Sequence, residues 1–219
     1  MNKYDITVKI EAFAPLDTQE KWDASGWIVD KESLEVHKIM YALTITDKVF
    51  EQAVKENCDM IISHHPLFFV PLEYQKINMY CAHTNLDIAE DGTSDLIIEK
   101  LGFKKSYNDG FVRVIELENP IGVEELRQKL LKISPKLRYV NNYDKKELKT
   151  IGVCAGSGSE FIGKTDAFIT GDLKFHTALD AKSVVFDIGH FESEIFAREL
   201  LQEITGVKGI MADEKTPFI

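Results

Sequence analysis

Apolar and polar positions follow two rhythms along the chain, and together they predict alternating strands and helices. Short continuous apolar runs at 60–62 and 77–82 are typical of buried strands, and each stops abruptly at polar residues. In the segment 47–58 the apolar residues recur at helical spacing instead, which predicts a helix with Asp47 as its N-cap. This alternation is typical of the α/β class.

The middle of the chain differs from both ends, because turn-rich pieces at 104–110 and 141–147 punctuate its strands. We therefore expect a smaller module at 103–182, inserted into a domain built from 1–102 and 183–219. The fold class that follows is a two-lobed mixed α/β protein. Its further predicted elements are the helices 94–101, 122–133 and 191–205 and the strands 111–117, 137–140, 150–155, 167–170 and 183–188.

The composition excludes several classes of protein. Of 219 residues, 44% are hydrophobic and 28% are charged, which is ordinary for a globular chain and excludes a disordered one. No apolar stretch approaches the roughly 18 residues of a membrane span, and the start shows no signal-peptide pattern. The formal net charge of −10 opposes binding to nucleic acid. Three widely spaced cysteines predict reduced thiols, so we expect a cytoplasmic protein.

Residues of metal-ligand type follow three of the predicted strands. In α/β sheets, ligands bind beyond the carboxyl ends of the strands, so these residues are expected to meet there. His190 and Glu194 are four residues apart at a helix start, so their two side chains share one helix face. The residues are His64 and His65 after the first strand, His83 with Asp87 after the second, and His190 with Glu194 after the third.

A mixed set of imidazoles and carboxylates with more than four members fits two divalent metal ions better than one structural zinc. The metal could be Zn, Fe, Mn, Ni or Co, since these residue types suit all of them. Each of the three groups also has a simpler interpretation. His64 and His65 could belong to a loop, and His83 and Asp87 could form a hydrogen bond at a helix start. His190 and Glu194 could lie on a solvated helix face. The coincidence of all three at strand ends favours the metal site.

These segments resemble one protein family across most of the chain. The matching motifs run in the family's order from Pro15 to Glu194 and include the helix start at Gly92 to Asp95. The chain is similar to the NGG-interacting-factor-like dinuclear metal proteins, also named GTP cyclohydrolase 1 type 2 homologues. The motifs are APLDTQEKWDASGW (14–27), SHHPLFF (63–69), AHTNLD (82–87), TGDLKFHTALDA (170–181) and GHFESE (189–194).

The resemblance implies a two-lobed α/β protein whose strand ends converge on a dinuclear metal site, assembled as a toroidal homohexamer. It places the ligand role on five residues and makes Glu194 the bridge between the two ions. The five are His64, His65, Asp87, His190 and Glu194.

Three departures from the family pattern bear on substrate fit and leave every ligand in place. Ala24 replaces the asparagine of the family's WDN motif, and Thr44 replaces an acidic residue. The segment 67–82, between the SHHP and AHTNLD motifs, is shorter than usual. We therefore expect a helix that covers the pocket in relatives to be missing here.

Further candidates for chemistry are less specific. His83 is predicted as a catalytic residue that exchanges a proton with substrate, with support of the Asp87 turn as the alternative. Lys174 and His176 follow a strand and are candidates for holding a substrate phosphate or carboxylate, with a salt-bridged turn as the alternative. The glycine-rich piece 156–159 lacks the GK[ST] of a P-loop and is interpreted as a tight turn.

Two functions fit these observations. The first is a metal-dependent hydrolase in which a metal-bridging water attacks a small-molecule substrate. The family name narrows this to opening the imidazole ring of GTP with release of formate. The second is a non-catalytic metal-binding regulatory or adaptor protein, since the family is named after a protein interaction. The sequence leaves both open.

Overall fold

The computed structural model describes residues 1–218 and confirms a mixed α/β protein with two mixed sheets. Its contacts divide the chain into two compact units. The first unit contains Met1–Gly92 and the described residues from Phe196 onward, and the second contains Thr93–Ile195. No helix within residues 1–218 combines the length and apolar character needed to cross a membrane.

Eight α-helices and eleven strands build the two units in residues 1–218. The helices are α1 (Lys3–Phe13), α2 (Asp47–Lys55), α3 (Thr84–Ile88), α4 (Thr93–Leu101), α5 (Val123–Leu130), α6 (Phe175–Asp180), α7 (His190–Glu194) and α8 (Ala197–Thr205). The strands are β1 (Gly26–Val29), β2 (Ile39–Ala42), β3 (Met60–Ser63), β4 (Asn78–Cys81), β5 (Tyr107–Asp109), β6 (Val112–Gly122), β7 (Arg138–Val140), β8 (Glu147–Val153), β9 (Ala167–Thr170), β10 (Val184–Asp187) and β11 (Ile210–Met211).

The first unit has a five-stranded sheet in the order β1-β4-β3-β2-β11. Strands β2, β3 and β4 are parallel neighbours, so their carboxyl ends lie at one edge of the sheet. Helix α2 packs its apolar face into this unit, with Val49 and Ala53 fully buried. Its N-cap is Thr46, whose side chain accepts the N–H of Val49, and the predicted cap Asp47 is the first helical residue.

The second unit has a six-stranded sheet in the order β5-β6-β8-β9-β10-β7. Strands β8, β9 and β10 are parallel neighbours, and their carboxyl ends again share one edge. The unit begins before and ends after the module expected at 103–182. It is larger because strand β10 pairs with β9 and because Ile97 of helix α4 belongs to the same apolar core as Phe186.

The helix predicted at 191–205 is two helices, α7 and α8. Helix α7 belongs to the second unit, where Ser193 and Glu194 are buried. Helix α8 belongs to the first unit and packs against helix α1 there. Ile195 and Phe196 lie between the two helices, and the division between the two units falls between these two residues.

Candidate metal centre

The ends of strands β3 and β4 bring three histidines together in the first unit. His64 and His65 follow β3 directly, and their backbone N–H groups donate to Ala42 O at 3.1 Å and Leu43 O at 2.8 Å. These bonds extend the pairing with strand β2 beyond the last strand residue and fix the backbone of both histidines. His83 follows strand β4 after one intervening residue.

The rings of these three residues, which we call the His64 group, lie against one another. The ring centroids are 5.1 Å apart for His64 and His65, 5.2 Å for His64 and His83, and 5.6 Å for His65 and His83. One donor atom from each ring lies within 4.8 Å of the other two. The structure thus brings two predicted ligands next to the predicted catalytic residue, in a mostly buried setting.

The Nδ1 atoms of His64 and His65 each face an oxygen atom. Nδ1 of His64 donates to the carbonyl oxygen of Ala82 at 2.8 Å, and Nδ1 of His65 lies 2.7 Å from Thr44 Oγ1. A proton fixed on Nδ1 leaves the lone pair of a neutral imidazole on Nε2, the usual arrangement of a metal-binding histidine. Thr44, the departure from the family's acidic residue, therefore contacts a predicted ligand.

Asp87 is placed beside His64 by the short helix α3. Its Oδ1 lies 3.5 Å from Nε2 of His64, and its own N–H donates to the carbonyl oxygen of His83 at 3.0 Å. The carbonyl oxygen of His83 therefore accepts a backbone hydrogen bond of helix α3, a contact that any residue at this position could make. Its ring makes a separate set of contacts.

The ring of His83 is held by Asp23, a residue that the sequence analysis did not select as functional. Nδ1 of His83 donates to Asp23 Oδ1 at 2.8 Å, and the Asp23 side chain is completely buried. Burial alone would raise the pKa of Asp23, but the hydrogen bonds from His83 and Thr84 outweigh it and hold this pKa far below its usual value. Asp23 is therefore an ionised carboxylate beside the His64 group.

In the second unit, His190 and Glu194 form the pair that we call the His190 pair. His190 begins helix α7 just after strand β10, and Glu194 lies one helical turn later. Nε2 of His190 is 2.9 Å from Glu194 Oε2, and its Nδ1 is 2.6 Å from Asp172 Oδ2. The hydrogen bond to Glu194 outweighs the effect of burial and, together with Asp172, raises the pKa of His190 to about 10.

The turn after strand β8 makes room for the buried carboxylate of Glu194. Gly156 has a φ of 62°, and a Cβ atom there would collide with Glu194 Oε1 and lie 3.6 Å from a ring carbon of His190. Its N–H donates to Ser193 Oγ at 2.9 Å, and the N–H of Gly158 donates to Thr170 Oγ1 at 2.8 Å. Because both N–H groups bind side chains of this unit, the glycine-rich piece is a tight turn and not a phosphate cradle.

The two substrate candidates lie around helix α6. Lys174 is the residue before the helix and is exposed, and His176 is exposed in its first turn. The residue of this segment that contacts His190 is Asp172, which has a φ of 52°, an uncommon conformation for a residue with a side chain. The assignment of Lys174 and His176 to a substrate stays a prediction.

The residues present fit a divalent metal ion. Imidazole nitrogens and carboxylate oxygens, partly withdrawn from water and held by further hydrogen bonds, are the ligands that Zn, Fe, Mn, Ni and Co accept. Because Gly156 has no side chain, the carboxylate of Glu194 can occupy the space beside it.

A family model confirms the likeness seen in the motifs. The model described as Duf34/NIF3 (NGG1p interacting factor 3) matches residues 1–212. The chain belongs to the Duf34/NIF3 family. The match includes every residue of the His64 group and of the His190 pair.

Relatives in the family support the same assignment. A protein of Clostridium acetobutylicum named GTP cyclohydrolase 1 type 2 homolog is 34% identical over 87% of this chain and 84% of its own length. A protein of Campylobacter jejuni with the same name is 32% identical over 95% of both chains. The solved structure of reduced HcgD from Methanocaldococcus jannaschii has 27% identity and a TM-score of 0.83, and the match covers 98% of each chain.

Proposed function

We propose that this Duf34/NIF3 protein is a cytoplasmic metal-dependent hydrolase that binds two divalent ions. The observation that carries the proposal is that His64 holds Nδ1 against the carbonyl oxygen of Ala82 and His190 holds Nδ1 against Asp172, so Nε2 of each ring faces a carboxylate. The carboxylates are Asp87 beside His64 and Glu194 beside His190. A divalent ion bound there would replace the proton on Nε2 of His190.

In the proposal, the first unit provides His64, His65 and Asp87, and the second provides His190 and Glu194, with Glu194 as the bridge. Bound divalent ions would supply Lewis acidity, which polarises the substrate and makes a water molecule a stronger nucleophile at neutral pH. The protein's own part is to hold the ligands. Thr44 and Ala82 fix the rings of the first unit, and Asp172 fixes that of the second.

His83 is the proposed proton-transfer residue. Its ring touches the rings of both His64 and His65, but its neighbours set it apart from them, because its Nδ1 donates to an ionised carboxylate. A histidine in that position can take a proton from the attacking water or give one to the leaving group. Such a group contributes typically 10²–10⁴ in rate.

The substrate class is proposed from the names of the relatives. Proteins named GTP cyclohydrolase 1 type 2 homolog are more than 30% identical to this chain over most of its length. We therefore propose a nucleotide or a related small molecule with a hydrolysable C–N or phosphoester bond. GTP is the first compound to test.

A non-catalytic role as a metal-binding regulatory or adaptor protein is the alternative, and one observation favours it. Phe68, Phe69 and Leu72, just after the paired histidines, are 71%, 81% and 81% exposed in this structure. Large apolar side chains exposed together mark interaction surfaces. The family description itself refers to an interacting factor.

We also propose that the chain forms a homohexamer, as the family resemblance implies. The exposed apolar side chains at 68, 69 and 72 support an association of some kind. Within the segment 67–82, the chain between residues 67 and 77 forms the 3-10 turn Leu72–Lys76.

The test of the proposed function is turnover by purified protein, with the metal removed by chelation and then restored. GTP, an aryl phosphate ester and a cyclic amide are the probes. We expect metal-dependent turnover of at least one, and a rate lowered by roughly 10²–10⁴ in His83→Ala with unchanged metal content. His37→Ala is the matched control, since His37 is exposed and its ring pairs only loosely with Glu35, at 3.6 Å. Metal-loaded protein that turns over none of the probes would favour the adaptor role.

A further inference from the structure

We propose that Asp23 is the positioning residue of His83, which fixes the proton of that ring on Nδ1 and keeps the lone pair on Nε2. The proposal rests on the proposed function only for the use of that lone pair in catalysis. The position of the proton is a property of the protein that can be measured without a substrate.

The surroundings of Asp23 are built to keep its carboxylate in one place. Oδ2 accepts the N–H of Thr84 at 3.0 Å, the hydroxyl of Thr84 at 2.5 Å and the hydroxyl of Ser25 at 2.9 Å. Oδ1 accepts the N–H of Ala24 at 2.7 Å and Nδ1 of His83 at 2.8 Å. Four donors besides the histidine thus orient one fully buried carboxylate.

The same hydrogen bonds explain why the carboxylate can only accept from the ring. Since the donors around Asp23 lower its pKa far below its usual value, the group carries no proton at neutral pH. An ionised carboxylate has no hydrogen to donate, so the atom of His83 that faces it must carry one. The second ring nitrogen is therefore the only one that can act as a base.

Asp23 also differs from the partners of the proposed metal ligands in its own unit. Nδ1 of His64 meets a backbone carbonyl and Nδ1 of His65 meets a hydroxyl, and both of these groups are uncharged. Of the His64 group, His83 is the ring whose Nδ1 is paired with a carboxylate. The indole of Trp22 stands edge-on to the His83 ring, with centroids 5.8 Å apart, and further limits its rotation.

The direct test is the nitrogen NMR spectrum of the wild-type protein labelled with 15N-histidine and loaded with zinc, recorded at pH 8. The His83 signals are assigned by their absence from His83→Gln. We expect protonated Nδ1 and unprotonated Nε2. A hydrogen on Nε2, in a neutral or a doubly protonated ring, would overturn the proposal.

The second test is Asp23→Asn, with Asp17→Asn as the matched control because Asp17 is an exposed aspartate in the segment just before it. We expect protonated Nε2 to appear in the spectrum of Asp23→Asn and kcat for GTP or the aryl phosphate ester to fall roughly 10²-fold or more, with KM and zinc content close to wild type. An unchanged ring spectrum and an unchanged kcat would refute the positioning role.

The two tests separate the failure of this inference from that of the proposed function. A wild-type protein that turns over neither probe removes the hydrolase, while its spectrum still decides the position of the proton on His83. If Asp23→Asn does not fold, which thermal melting reveals, the wild-type spectrum alone decides.

Discussion

At the scale of single residues, the partners of the histidines decide what the rings can do. Thr44 and Ala82 face the rings of the first unit, and Asp172 faces that of the second. These contacts fix the orientation of each ring in the protein itself. A metal ion bound there would not have to order these side chains.

Thr44 should tune metal affinity through His65. Thr44→Val keeps the shape of the side chain and removes the oxygen that lies 2.7 Å from Nδ1 of His65. Loss of such a partner typically weakens metal binding 10–100-fold, and we expect a loss in this range. Titration with zinc measures it, with Thr18→Val, which removes an exposed hydroxyl in another segment, as the control. Equal affinity in both variants would show that the contact does not matter.

Gly156 should be needed for the position of Glu194. Gly156→Ala adds a Cβ against the Glu194 carboxylate and strains a residue with positive φ, at a cost of about 1–2 kcal/mol in the backbone alone. Gly110→Ala is the matched control, because Gly110 has the same φ of 62° and no atom near the added Cβ. Both variants should lose stability in urea unfolding, and only Gly156→Ala should also lose zinc. Zinc binding at wild-type affinity in Gly156→Ala would contradict the role of this space.

The sequence pointed to the histidines and not to their partners. His64, His65 and His83 stand at the ends of apolar runs, where the fold class itself directs attention. Asp23 is 60 residues away from His83 along the chain and 18 separate Asp172 from His190, so only the folded chain pairs them. The family motif at 14–27 contains Asp23 and was the available signal for this residue.

At the scale of elements, the predicted strands and helices with strong apolar patterns are confirmed, among them β3, β4, α2 and α4. Helix α1 escaped prediction because it buries polar side chains together with apolar ones. Lys3 and Thr7 are buried beside Ile6 and Ile10, and the ammonium of Lys3 pairs with Asp30 at 2.5 Å. A lysine of this kind looks exposed in a sequence, since nothing local shows its partner.

Asp166 joins strand β8 to the start of strand β9 and should make this sheet sensitive to acid. Burial would raise its pKa, but the hydrogen bonds from Lys145 and from the N–H groups of Lys149 and Thr150 outweigh it and lower the pKa to about 2. A lowered pKa stabilises the fold above the ordinary value of 3.8, and this contribution disappears as the pH falls from there to about 2.

The variant Asp166→Asn should therefore be less stable than wild type at pH 7, by about 1 kcal/mol once solvent screening of this partly exposed side chain is allowed for. The difference should shrink as the pH approaches about 2. Urea unfolding at several pH values measures it, with Asp144→Asn in the exposed pair with Lys146 as the control. A difference that does not change with pH would refute the assignment.

At the scale of the whole molecule, the chain uses one architectural device twice. Each unit has a block of parallel strands. Its predicted metal ligands lie just beyond the carboxyl ends of those strands. The distribution of turn-rich segments along the chain does not predict the extent of the second unit. Strand β10 resembles the strands of the first unit in sequence but pairs with β9 of the second unit.

Association should be visible in solution. A homohexamer has six times the chain mass of 24.9 kDa, so light scattering should give about 149 kDa at micromolar concentration. Phe69→Ser, at an 81% exposed position, should lower this mass if the exposed apolar side chains form part of the contact. A mass of one chain at that concentration would end the hexamer proposal.

The metal content of the purified protein tests the central claim most directly. Elemental analysis of wild type, Glu194→Gln and His65→Ala, each purified without chelator and reloaded with zinc, compares the proposed bridge with a ligand of one ion. We expect two ions per chain in the wild type, little or no metal in Glu194→Gln, and one ion in His65→Ala. Wild-type protein that holds no metal after reloading would contradict the account, and loss of a single ion in both variants would remove Glu194 as the bridge.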